Sequence, residues 1–240
     1  MKNILNHLTT KSDGDAVDVV YDEETELLLP QSHDYLSMEQ EYRQIMFFYE
    51  AGIQQVTAKL EILKKEFQYC NDRNPIENIK SRVKTSDSII SKMKKKGLPL
   101  TIGCMMNNIY DVAGVRVVCP FISDVYHVAR MLMNQTDVEV FRIKDYIESP
   151  KDNGYRSLHL IVMVDVFFSD QKRKVPIEIQ LRTIAMNFWA STEHQLRYKK
   201  DVDFTADMHK QLKRCADLMA RADRKMQQLA ENITAQSAGM

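Results

Sequence analysis

The chain has 240 residues, 44% of them hydrophobic, with 33 basic and 33 acidic side chains. That is enough apolar surface for a sizeable core, in one large domain or in a domain with helical extensions. A formal net charge of zero excludes a whole-chain attraction to nucleic acid or anionic lipid, so any anion site must come from local clustering.

Four scattered cysteines, Cys70, Cys104, Cys119 and Cys215, form no CxxC pair. They argue against a zinc site or a disulfide framework and for a reducing compartment. No apolar run approaches the roughly 20 residues needed to span a bilayer. Met1 to Thr10 holds no apolar core of signal-peptide length. A soluble, cytoplasmic protein is expected.

Residues 1–36 are polar, acidic around Asp22 to Glu26, and without a sustained period, which predicts a loosely ordered extension. A helix over 37–70 follows: Tyr42, Met46, Tyr49, Ile53, Val56, Leu60, Leu63 and Phe67 make one apolar stripe. Gly52 interrupts it at a cost of about 1 kcal/mol. Asn71 to Pro75 breaks the pattern. A second helix is predicted from Ile76 to Lys96, stopped by Gly97 ahead of Pro99.

The central part alternates. Gly114 to Phe121 reads as a buried strand, and Ser123 to Asn134 as a helix with Ser123 or Asp124 as N-cap. Val138 to Tyr146 is a strand, Ser149 to Tyr155 a loop, and Leu158 to Phe168 a strand with clean alternation. Val175 to Thr183 is the last strand, followed by a helix to Tyr198 and another from Ala206 to Thr234. The expected fold is α/β (α+β): a mixed sheet of four to five strands flanked by long N- and C-terminal helices. Two long heptad stripes beside one small sheet predict self-association through helices, with an intramolecular helix pair as the alternative.

The last strand carries the strongest chemical signal. Ile177, Ile179 and Leu181 face one way, and Glu178, Gln180 and Arg182 the other, with about 7 Å between alternate residues. A carboxylate, an amide and a guanidinium in a row can activate a hydroxyl, hold a metal and grip a phosphate. Alone, the same row also fits the solvated face of an edge strand.

Arg82, Lys84, Ser88 and Lys92 make a basic face that suits a polyphosphate, though such a face is also commonly just solvated. Asp111 stands just before the first strand, at a common position for a metal ligand or a turn residue. Gly154 can supply a positive φ that swings Tyr155 outward, beside Lys151 and Arg156, to stack on a base. Trp189 reads as core, while His194 reads as structural or as a phosphate contact.

In this order the pieces resemble the synthetase domain of the RelA/SpoT homologue family. The matching strings are Arg82-Val83-Lys84 with Ser88-Ile89, Asp111-Val112-Ala113-Gly114-Val115-Arg116 and Lys144-Asp145-Tyr146-Ile147. They continue with Asn153-Gly154-Tyr155-Arg156-Ser157-Leu158-His159 and Ile177-Glu178-Ile179-Gln180-Leu181-Arg182-Thr183. Trp189-Ala190-Ser191 and Glu193-His194 follow the last string. Five strings in register over residues 75–200 are specific, and the chain is similar to the stand-alone small alarmone synthetases. The lone His33-Asp34 pair lacks the rest of a hydrolase metal site.

The resemblance implies a nucleotidyltransferase-like sheet and transfer of the β,γ-pyrophosphate of ATP to the 3′-hydroxyl of GDP or GTP. It implies Mg²⁺ on Asp111 and Glu178, with Glu178 also the base. Arg82, Lys84, Ser88, Lys92 and Arg116 would hold ATP. Lys144, Lys151, Asn153, Tyr155, His159, Gln180 and His194 would line the guanine-nucleotide side, with Tyr155 stacking on the base. It further implies a synthetase domain over 71–200 and a homotetramer; the heptad stripe itself assigns the C-terminal helix over 201–240 to assembly. No membrane or DNA partner is expected, and nothing in the chain points to RNA. A silent nucleotide- or RNA-binding module on the same fold would be expected to lack a metal carboxylate or the base. Both Asp111 and Glu178 are present.

Overall fold

The computed structural model describes residues 35–70, 73–198 and 204–238. The expected extension over 1–36, apart from its last two residues, and the His33-Asp34 pair lie outside the described residues. The described strands are β1 (Asn78–Val83), β2 (Ala113–Cys119), β3 (Val138–Asp145), β4 (Leu158–Phe167) and β5 (Lys172–Thr183). They form one sheet in the order β1-β2-β5-β4-β3. β5 runs parallel to β2 and antiparallel to β4, and the two outer pairs are antiparallel, so the sheet is mixed.

Alternation separates the two faces of this sheet. Val115 and Val117 of β2, Leu158, Leu160 and Val162 of β4, and Ile177, Ile179 and Leu181 of β5 face a continuous apolar core. Helix α1 (Tyr35–Cys70) and helix α4 (Ile122–Met133) supply the other side of that core, through Tyr49, Ile53, Val56, Leu60, Val125, Val128 and Leu132. The stripe on α1 is therefore consumed by its own sheet. Helix α5 (Ile184–Tyr198) and helix α6 (Ala206–Ala238) pack on each other in a smaller cluster of Trp189, Ala190 and Ala216. Trp189 is core, and its indole N–H donates to the Leu212 carbonyl at 2.9 Å. Three further ties fasten α6: Thr183 Oγ1 to Asp223 at 2.6 Å, Ser123 N to Gln227 at 3.1 Å, and Arg156 to Asp217 at 3.3 Å.

Two local expectations are overturned, and one element was not foreseen. The segment 76–96 is not one helix. β1 occupies its first half and pairs with β2, and helix α2 (Ser86–Lys95) begins only after Thr85. Thr85 is extended, and its hydroxyl accepts from Ser88 N, which starts the helix there. The backbone bonds offered by β2 outweigh a weak helical pattern over 78–83. Second, the N-cap of α4 is Phe121, not Ser123 or Asp124. Asp124 sits at the third helical position, where it accepts from Phe121 N at 3.3 Å and from both guanidinium nitrogens of Arg73 at 2.5 and 2.6 Å. A short helix α3 (Ile102–Asn108) fills a stretch for which no element was predicted.

Gly52 explains itself at the α1–β5 contact. A Cβ there would lie 2.9 Å from both Ile177 Cδ1 and Val175 Cγ1. The glycine lets α1 approach the strand that carries Glu178. Gly52→Ala should therefore destabilise the protein by about 1–3 kcal/mol through overpacking, despite the better helix propensity of alanine. A thermal melt would show a lower Tm; an equal or higher Tm would contradict the close-packing account.

Candidate active site

The face of the sheet opposite the core carries a row that is polar on all five strands. Register alone assembles it, because paired residues put their side chains on the same side. One row reads Lys80, Arg116, Gln180, His159 and Lys144 across all five strands. The next reads Arg82, Gly114, Glu178, Ile161 and Arg142. Arg142 and Lys144 reach this face because the β3–β4 register slips between Val140 and Arg142. Gly114 places no side chain beside Glu178. β5 is the central strand, so its polar row is not an edge face.

Glu178 sits in a closed ring of hydrogen bonds. Its Oε1 is 3.1 Å from His159 Nδ1, and its Oε2 accepts from Gln180 Nε2 at 2.7 Å. His159 Nε2 lies 2.8 Å from the Tyr155 hydroxyl. Arg182 donates to that hydroxyl at 2.6 Å and to Gln180 Oε1 at 2.8 Å, which closes the circuit. Arg182 is 4% exposed and also reaches Ser157 Oγ at 3.4 Å. Burial pushes the Glu178 carboxyl up, but the hydrogen bonds and charge of His159 and the amide of Gln180 outweigh it and leave it below the usual carboxylate range.

Tyr155 is not swung outward as expected. It is half-buried, its hydroxyl turned into the ring, and its aromatic body rests on the Trp189–Ala216 cluster. Gly154 does adopt a positive φ of 88°, and a Cβ there would lie 2.5 Å from Ala216 Cβ, so the loop lies directly on α6. Asn153 Oδ1 accepts from Tyr155 N at 3.1 Å and shapes the turn. Lys151 Nζ stands 4.7 Å from the Tyr146 ring centre and 5.0 Å from that of Tyr155. Burial and the nearby Lys144 ammonium lower the Lys151 pKa.

Asp111 forms a second centre. One of its oxygens, Oδ2, takes both Lys84 and Lys92, the latter at 2.5 Å. Burial pushes both partners toward neutrality. It lowers Lys84 in spite of Asp111, whereas at Asp111 the two ammonium groups prevail and hold the carboxyl below its usual range. The other oxygen, Oδ1, is buried with no hydrogen-bond partner. Arg116 is also buried at Nε without a partner. Burial, then the neighbouring Arg182 and Arg82, lower the Arg116 pKa. Three guanidiniums, Arg82, Arg116 and Arg182, thus lie close enough to repel one another.

The structure brings together Glu178, Gln180, His159, Tyr155 and Lys151 in one group, and Asp111, Lys84 and Lys92 in another. Arg82 lies in the row of Glu178, and Arg116 in the row of Gln180. Ser88 bonds Thr85 at the start of α2, and His194 is exposed toward the end of α5. Sequence reasoning read Arg182 only as part of a polar row able to grip a phosphate, and gave no role to Tyr146 or Lys80. Arg182 was visible in the Glu178 row, Tyr146 beside Lys144, and Lys80 was hidden by the helical reading of its segment. Asn187 Oδ1 is likewise buried without a partner; its signals in the sequence were its place one turn past Thr183 and its nearness to Trp189 and His194.

A mixed sheet whose polar face sets two carboxylates among guanidinium and ammonium groups defines an enzyme that handles polyphosphate chains. The comparisons narrow the class. Residues 81–203 match the model described as a region found in RelA/SpoT proteins, and the chain belongs to that family. It is 39% identical to the GTP pyrophosphokinase YwaC of Bacillus subtilis over 193 residues, covering 80% of this chain and 92% of that protein. It is 32% identical to YjbM, a GTP pyrophosphokinase of the same organism, over 195 residues, covering 81% and 91%. Among solved structures, small alarmone synthetase 1 of Bacillus subtilis bound to its product pppGpp superposes with a TM-score of 0.76 at 32% identity, covering 81% of this chain and 99% of that one. Small alarmone synthetase 2 gives 0.72 at 38% identity, covering 80% and 99%.

The ring makes a titration prediction. With its folded pKa depressed, Glu178 contributes stability that is present above its unfolded value of about 4.3 and lost as pH falls through the folded value. A ¹³C-carboxyl NMR titration should place Glu178 below the ordinary glutamate range in the wild type and higher in His159→Phe. The same midpoint in both proteins would remove His159 as a cause of the depression.

Proposed function

We propose that the polar face transfers pyrophosphate between two nucleotides, with Glu178 as the base. The enzyme is a (p)ppGpp synthetase: it moves the β,γ-pyrophosphate of ATP onto the 3′-hydroxyl of GDP or GTP and releases AMP. The observation that carries the site assignment is the ionised Glu178 carboxylate, central in the sheet and flanked on one side by the Asp111 cations and on the other by Tyr155 and His159.

In this reading Lys84, Lys92, Arg82 and Arg116 take the ATP phosphates, with Ser88 at the start of α2 beside them. The unsatisfied Arg116 Nε and the three clustered guanidiniums favour an anion there. Lys151 and Lys144 meet the phosphates of the guanine nucleotide, and Tyr155 stacks on its base. His159, Gln180, Asn153 and His194 complete that side. The 3′-oxygen forms a bond to Pβ as the Pα–O–Pβ bridge breaks, and its proton passes to Glu178. His159 and Gln180 hold the two carboxylate oxygens in place. Arg182, through Tyr155 and Gln180, is a positioning residue. Binding of the guanine nucleotide would exchange some ring contacts of Tyr155 for contacts to the base.

Asp111 and Glu178 would hold Mg²⁺. The fit rests on the orphaned Asp111 Oδ1 and on hard oxygen donors. Among the described residues no group of three or more His, Cys, Asp or Glu makes a complete metal site, so phosphate oxygens and water would supply the other ligands. When bound, the ion would offset charge on the transferred group.

The proposal assigns 71–200 to the synthetase domain and 201–240 to assembly. Met226, Leu229 and Ile233 on α6 are 54, 49 and 63% exposed, whereas the α1 stripe is buried, so α6 offers the apolar face for a homo-oligomer, a homotetramer by resemblance. Among the described residues no helix is long and apolar enough to cross a membrane, and a cytoplasmic setting fits the four dispersed cysteines.

Glu178→Gln should bind both nucleotides yet lose about 10²–10⁴-fold in kcat. Near-normal turnover would remove its role as base. Tyr155→Ala should raise KM for the guanine nucleotide about tenfold while sparing ATP. An equal rise for both would remove the stacking assignment.

A further inference from the structure

Outside the Glu178 face, α6 carries a second concentration of positive charge. Arg214, Asp217, Arg221 and Arg224 recur at three- and four-residue spacing and so share one face of the helix. They span roughly 15 Å of its length. With Arg156 from the Tyr155 loop they line an open groove of about 510 Å³. Leu218 and Ala220 form its apolar part. In a chain whose charges sum to zero, four guanidiniums against one carboxylate in the lining is a strong local imbalance.

The carboxylate is already used. Asp217 pairs with Arg156 at 3.3 Å. The next acid on the helix, Asp223, is 7% exposed; its carboxylate accepts from Thr183 and is also in the field of Arg156 and Arg224, which leaves four guanidiniums against two carboxylates. Arg214, Arg221 and Arg224 are exposed and make no hydrogen bond or ion pair among the described residues. No residue of the Glu178 ring lines the groove.

We infer that this groove is a second anion site, which takes a short phosphate chain rather than a polymer or a base. Arginine forks match phosphate oxygens in pairs. The volume falls within the range of small-ligand sites, about 300–1,000 Å³. No aromatic side chain lines it to hold a base. The site is also wired to the loop beneath it: Arg156 NH1 donates to the Gly154 carbonyl at 3.0 Å and reaches the Ala216 carbonyl at 3.4 Å. A ligand that draws on Arg156 therefore pulls on the residues flanking Tyr155.

The test is a calorimetric titration of inorganic tripolyphosphate into the full-length protein and into Arg221→Ala/Arg224→Ala. Both substitutions lie on the exposed face of α6, and turnover and thermal melts of the two proteins are compared in parallel. The wild type should bind one more tripolyphosphate per chain than the double variant, with turnover unchanged. Equal stoichiometry and affinity in the two proteins overturns the site, whatever the turnover shows about the reaction centre. Competition by a nucleoside triphosphate separates the sources. Displacement tenfold better than by inorganic tripolyphosphate assigns the site to a nucleotide, and equal displacement to the phosphate chain alone; both support the groove.

Discussion

The arrangement depends on how β5 is paired. It lies between a parallel neighbour and an antiparallel one, and the register with each sets which side chains surround Glu178. Gly114 leaves space on one side, Arg116 stands beside Gln180, and His159 stands across from it. A slip of one residue in either pairing would send the polar row into the core. The fully buried Ile177, Ile179 and Leu181 prevent that slip, because they are locked against α1 and α4. The chemistry of one face is thus fixed by the packing of the other.

The ring around Glu178 has its own electrostatic logic. Arg182 is a buried cation whose hydrogen-bond partners are neutral: Tyr155, Gln180 and Ser157. Leaving one such partner unmade costs about 1–3 kcal/mol, so the ring favours a single arrangement of its members. That arrangement orients both oxygens of Glu178 and keeps the carboxylate ionised. It also keeps Tyr155 turned inward, and occupying its face with a base means trading hydrogen bonds within the ring for contacts to the ligand.

The longer strands that build the site were legible in the sequence through alternation or through short apolar runs. β4 and β5 are the clearest cases, and Glu178, Gln180 and Arg182 were readable there as one row. β1 was not legible. It is a six-residue edge strand whose burial alternates only weakly, and its identity comes from pairing with β2. The cap of α4 was missed because Asp124 serves two partners at once, one of them Arg73, more than fifty residues away. The closure of the ring was equally invisible: Tyr155, His159 and Arg182 meet only once the loop, β4 and β5 are folded together. Positive φ at Gly154 was readable, but the direction it gives Tyr155 is set by Ala216 on α6.

The claim on which the account turns is that this face moves a pyrophosphoryl group as a unit. ATP labelled at both the β and γ phosphorus, incubated with the pure protein and GDP, tests it directly. The account predicts both labels on the guanine nucleotide in equal amounts and unlabelled AMP. Transfer of the γ label alone, or no label on the guanine nucleotide, would contradict it.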